Sequence, residues 1–181
     1  MAGACCRPDR GQKEARKEAK MPEVSIGKEF LELAIEIERN GRSFYESMAS
    51  LGKAKEVRGT FRQLAGRERE HEKIFRDMLD RLGGYRPAQS YSGEHYQYIK
   101  GIADSAIFSG ESVKSALAKE VLTDIEAVET GIGFEKDSIL FYSETRGMVP
   151  RPDQEIIDVI VSEEKKHLSE LAYIANKLRG A

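Results

Sequence analysis

Glu164-Lys165-Lys166-His167, near the end of the chain, sets a carboxylate and an imidazole three residues apart. In a helix, residues at that spacing share a face, so the pair can address one point in space. Glu68-Arg69-Glu70-His71 repeats the spacing, and two of the chain's three histidines lie in these two stretches. Apolar residues of helical period surround both. Phe61, Leu64, Ile74, Phe75, Met78 and Leu82 accompany the first, and Ile156, Ile157, Ile160, Leu168, Leu171, Ile174 and Leu178 the second.

Each stretch is preceded by a second helical segment that also repeats. Residues 34–45 carry Glu38, six residues and Tyr45, with Phe44 before the tyrosine. Residues 131–142 carry Glu135, six residues and Tyr142, with Phe141 in the same place. Glu38 and Glu135 are 97 residues apart, and each Glu-x-x-His residue is 96 from its copy. The chain therefore reads as two copies of a helix pair, the product of a duplication.

The expected helices run from about Ile26 to Ser50, Lys55 to Leu82, Ser112 to Arg146 and Asp153 to Leu178. The third is interrupted between Leu122 and Ala127. Ser25 is the candidate N-cap of the first helix, Gly83-Gly84 ends the second, Gly147 ends the third, and Pro152 suits the opening turn of the fourth. Gly131 and Gly133 weaken the third helix by about 1 kcal/mol each relative to Ala unless close packing requires them. Residues 85–110 hold four of the seven tyrosines (Tyr85, Tyr91, Tyr96 and Tyr98) and three glycines. They read as a crossover between two hairpins, with a short helix over 94–108. The expected architecture is all-α: a four-helix bundle over 25–181 behind a flexible tail over 1–24.

Charged residues at 33% and a net charge of -2 give no footprint for nucleic acid. No apolar run is long enough for a bilayer, and no signal segment is apparent, so a cytoplasmic protein without a membrane partner is expected. Cys5 and Cys6, adjacent in the tail, cannot build a disulfide framework or a four-thiolate site.

One glutamate from each first helix and one Glu-x-x-His from each second helix give Glu38, Glu68, His71, Glu135, Glu164 and His167. Four carboxylates and two imidazoles aimed into a bundle core suit a pair of iron ions, with manganese as the alternative. Without cations, four carboxylates at one level would be desolvated and mutually repelling. Glu68 and Glu164 are expected to bridge the metals, Glu38 and Glu135 to bind one each at the ends, and His71 and His167 to cap one each. Tyr45 and Tyr142 are candidate hydrogen-bond donors behind the ligands, or else interior packing residues. Glu36, Glu70, Glu163 and Glu170 read as solvent-facing or as members of helix-surface pairs, and His95 as a surface residue of the crossover.

These motifs resemble the ferritin-like di-iron superfamily, most closely its rubrerythrin-type branch, over residues 26–178. Asp104-Ser-Ala-Ile-Phe108 also looks like the crossover of rubrerythrin-related domains. The resemblance implies a carboxylate-bridged di-iron centre, hydrogen peroxide or dioxygen as oxidant, a role in oxidative-stress defence, and assembly into homodimers or larger homo-oligomers. Two features depart from it. The chain lacks the four-cysteine rubredoxin module of rubrerythrins proper, so an external electron-donor protein is expected. The extra carboxylate one turn after the third-helix ligand is replaced by Ser138, whose repeat mate is Gly41. Three activities follow as expectations: peroxide reduction, oxidation of ferrous iron, and a non-catalytic bundle in which metal is only a staple.

Overall fold

The computed structural model describes residues 26–83, 94, 97–99, 101–102 and 123–180. The tail with Cys5 and Cys6, Tyr85, Tyr91, Tyr96, His95, the 104–108 motif, the Ser25 cap and the segment from Ser112 to Leu122 lie outside the described residues.

Four long helices carry the fold: α1 (Ile26–Leu51), α2 (Lys55–Leu82), α3 (Asp124–Thr145) and α4 (Arg151–Arg179). A 3-10 turn, Arg146–Met148, links α3 to α4. There is no strand among the described residues, and the all-α architecture is as expected. The α1 and α2 stripes repeat every three to four residues, which gives each helix one apolar face. Phe30, Phe44, Met48, Phe61, Leu64, Phe75 and Met78 are buried from these faces, and Ile157, Ile160, Leu171 and Ile174 from α4. At the crossover, Ile99 is buried and Ile102 packs against the core.

The helix ends follow local chemistry. Thr123-x-x-Glu126 is a capping box, its hydroxyl accepting from the Glu126 N–H while the Glu126 carboxylate accepts from the Thr123 N–H. This starts α3 inside the interval where the sequence suggests a break. Gly83 closes α2 at φ 55°, a left-handed conformation that suits glycine. Pro152 lies in the first turn of α4, where its missing N–H costs no helical hydrogen bond.

The helices pair as α1 with α2 and α3 with α4. Aromatic rings fill the space between the hairpins. Phe44 meets Phe134 edge-on at 4.7 Å, and Phe30 meets Phe141 at 5.6 Å. Tyr45 stacks on Phe61, and Tyr142 lies against Phe75. Polar ties add register. The Asp124 carboxylate accepts from the backbone N–H groups of Lys53 and Ala54, so the α1–α2 joint is fastened to the start of α3. Gly27 is needed for a close approach, since a Cβ there would sit 2.6 Å from the Met148 carbonyl oxygen.

Candidate metal centre

The bundle brings Glu38, Glu68, His71, Glu135, Glu164 and His167 together in its interior, and none is more than 5% exposed. Each helical pair contributes as the i, i+3 spacing predicts, with carboxylate and imidazole on one inward face. The six divide into two overlapping groups. Glu38, Glu68, His71 and Glu164 offer ligand atoms within 4.8 Å of one another, and so do Glu68, Glu135, Glu164 and His167. Glu68 and Glu164 belong to both.

Both histidines turn Nδ1 to the centre. His71 Nδ1 lies 2.9 Å from Glu164 Oε1 and 3.6 Å from Glu38 Oε2. His167 Nδ1 lies 3.0 Å from Glu164 Oε2, 3.7 Å from Glu135 Oε2 and 3.9 Å from Glu68 Oε1. The rings stack with centroids 5.9 Å apart. Close approach is not the same as bonding, however. Glu38 Oε2, His71 Nδ1 and Glu164 Oε1 are fully buried and none forms a hydrogen bond. All three belong to residues of the first of the two groups. Orphaned polar atoms of this kind are costly in a core, and a shared cation satisfies them. Oxygen and nitrogen donors without thiolate also suit iron or manganese.

The protonation pattern carries the same strain. Burial, then the charges of Glu38 and Glu164, push the Glu68 carboxyl well above its ordinary range. Burial and the Glu164 charge push Glu135 up to about 8. Burial alone would lower both histidines, but the carboxylates around them dominate. Glu164 and Glu38 raise His71 to about 12, and Glu135 and Glu164 raise His167 to about 9. Burial would raise Glu164, yet the His167 and His71 rings beside it hold it well below the usual carboxylate range. Protons thus occupy a site whose donor set fits cations.

Tyr45 and Tyr142 are both hydrogen-bond donors here and packed core residues. Tyr45 Oη donates to Glu135 Oε1 at 2.5 Å, and Tyr142 Oη donates to Glu38 Oε1. Each tyrosine therefore serves the glutamate of the opposite hairpin. Burial first, and then the neighbouring carboxylates, keep both phenols protonated well above their ordinary range. Gly131 makes room for this, since a Cβ there would stand 3.3 Å from Tyr45 Cε1.

One expectation needs correction. Glu36, Glu70 and Glu170 are exposed, but Glu163 is not a solvent-facing bystander. Its Oε2 lies 2.9 Å from His71 Nε2, on the ring edge away from the centre. The bond lowers the Glu163 carboxyl below its ordinary range. Its adjacency to Glu164 was the signal available in the sequence, but the reach from α4 to α2 depends on how the hairpins dock. Ser138 is buried in α3, three residues after Glu135, as a serine where the resemblance would place a carboxylate.

The family model for rubrerythrin matches residues 29–175. The chain belongs to the rubrerythrin family. Among solved structures, this rubrerythrin-family chain is similar to a Thermotoga maritima protein provisionally assigned as a ferritin-like diiron-carboxylate protein. The identity is 26% and the TM-score 0.61, over 84% of this chain and 95% of that one. No curated protein matches. The ferritin-like bundle and a buried, metal-capable carboxylate–histidine cluster thus characterise this rubrerythrin-family member. None of its described helices is long and apolar enough to cross a membrane.

Proposed function

We propose that the six buried residues hold two iron ions, or two manganese ions, and that the protein reduces hydrogen peroxide, or dioxygen, with electrons from an external donor protein. The observation that carries this reading is the sharing of Glu68 and Glu164 between both four-residue groups. Two carboxylates common to two clusters suit a pair of bridged metals, with Glu38 and His71 completing one position and Glu135 and His167 the other. Two bound irons would supply the two electrons that cleavage of one O–O bond consumes.

The chain's own residues do the rest. Tyr45 and Tyr142 fix the orientation of Glu135 and Glu38 through their hydroxyl hydrogens. Glu163 holds the His71 ring from behind. The edge-packed Phe44 and Phe134, with Phe61 and Phe75, keep water from the tyrosine side of the cluster. A homodimer or larger homo-oligomer in the cytoplasm completes the proposal.

Anaerobic stopped-flow mixing of the reduced, iron-loaded protein tests it. Oxidation much faster by peroxide than by dioxygen is expected. Dioxygen-driven turnover of added ferrous iron, with release of ferric product, would instead establish ferrous-iron oxidation, a reading that the near-symmetric ligand set also fits. Metal that raises stability without any redox turnover would leave only the staple. In the Glu68→Ala/Glu164→Ala double variant, two-iron binding should disappear, and unchanged stoichiometry would refute the assignment of ligands.

A further inference from the structure

The two halves of the cluster are near copies, but their surroundings are not. His71 is held from behind, with Nε2 on Glu163 at 2.9 Å and Nδ1 turned toward the centre, 2.9 Å from Glu164 Oε1. A carboxylate can only accept from the ring, so Glu163 keeps the hydrogen on Nε2 and leaves Nδ1 as the nitrogen that would give up its proton to a metal at the centre. The same 96-residue repeat that relates Glu164 to Glu68 relates Glu163 to Arg67. An arginine cannot accept from an imidazole N–H, and Arg67 instead donates to Glu70 at 2.9 Å. Among the described residues, no side chain holds His167 at Nε2. His167 instead lines a surface cleft of about 400 Å³, with Leu64, Gly66, Glu70, Glu163 and Lys166 around it. The Gly66 side is open, with nothing within 4 Å of where a Cβ would stand.

We infer that the two metal positions are unequal by construction: Glu163 makes the Glu38–His71 position the tighter, first-filled one, and the Glu135–His167 position loads and exchanges its divalent cation through the cleft. A ligand whose tautomer and ring orientation are set in advance gives up less freedom on binding, and loss of such a partner typically weakens metal affinity about 10–100-fold. Glu163 acts through His71, so it is a positioning residue.

The inference rests on the two-metal reading and is tested by binding rather than turnover. Metal-free protein is titrated anaerobically with cobalt(II) in a calorimeter, and crystals grown with one equivalent are examined by anomalous scattering. The expected result is two resolved steps, with the first equivalent beside His71. Glu163→Ala should weaken the first step about 10–100-fold and the second by less than about threefold, while Glu163→Gln, whose amide oxygen still accepts from Nε2, should recover most of the loss. Arg67→Glu should tighten the second step by placing an acceptor behind His167. Two indistinguishable steps, a first equivalent beside His167, or equal weakening of both steps by Glu163→Ala would each overturn the inference and leave the two-metal reading standing. Binding of fewer than two cobalt ions by the unaltered protein would overturn both.

Discussion

Tyr45 Oη stands 2.5 Å from Glu135 Oε1, although the two residues belong to different hairpins. Tyr142 repeats the arrangement toward Glu38. Removing either hydroxyl leaves a buried carboxylate oxygen without its donor, at a cost of about 1–3 kcal/mol. Tyr45→Phe is expected to weaken the metal position beside Glu135 more than the one beside Glu38, by about tenfold. Tyr142→Phe should do the reverse. Chelator competition on each variant measures the difference, and equal losses at both positions would contradict the crossed pairing.

Glu68→Gln should stabilise the metal-free protein while removing its response to metal. Burial and two neighbouring carboxylates drive Glu68 toward its neutral form, so the fold must take up a proton that an amide does not require. A gain of about 1 kcal/mol corresponds to a rise in Tm of about 2–4 °C for a chain of this size. Added cobalt should then raise Tm far less than in the unaltered protein. A metal-free variant that melts lower would show that the carboxyl is stabilising as it stands.

The metal-free protein should lose stability as pH rises from 6 to 9. Glu135 sits at about 8 in the fold against an ordinary 4.5, and His167 and His71 at about 9 and 12 against 6.5. In those windows the folded chain binds more protons than the unfolded one, so unfolding becomes easier with rising pH. The histidine contribution is complete below 6.5 and is lost as pH climbs through the folded values. Glu164, held low by its histidines, contributes above 4.5 and loses that contribution on acidification. Metal displaces the same protons, so its affinity should increase over the range in which the metal-free fold weakens. Thermal melts with and without cobalt at pH 6, 7, 8 and 9 check both trends, and a metal-free Tm that rises with pH would contradict them.

Gly27→Ala sets helix propensity against packing. Alanine favours a helix by about 1 kcal/mol over glycine. Here its Cβ would meet the Met148 carbonyl oxygen at 2.6 Å, a backbone atom that cannot swing aside. Overpacking of this kind costs about 1–3 kcal/mol, and the clash should win. The expected outcome is a lower Tm with metal stoichiometry unchanged. An unaltered or higher Tm would mean that the turn after α3 yields easily.

The sequence discloses what is periodic. The helix faces and the six clustered residues follow from spacing, because a residue's place on a helix is local. Thr123 and Glu126 likewise carry their capping box in four consecutive residues. The crossed tyrosines and the Glu163 bond are another matter. Glu163 neighbours a clustered residue and resembles any exposed glutamate on a charged helix, and only the docking of α4 on α2 brings it to His71. The pairing of Tyr45 with Glu135 rather than Glu38 likewise depends on tertiary geometry, as does the packing need for Gly131.

The exchange of hydroxyls between hairpins has a consequence for how the chain can change over generations. Neither hairpin finishes its own end of the cluster, so an altered residue in one is felt at the far end, through the other. Duplicated halves that lean on each other in this way are free to diverge at their margins and constrained at their centre. Glu163 opposite Arg67 is such a margin, and Tyr45 opposite Tyr142 is such a centre.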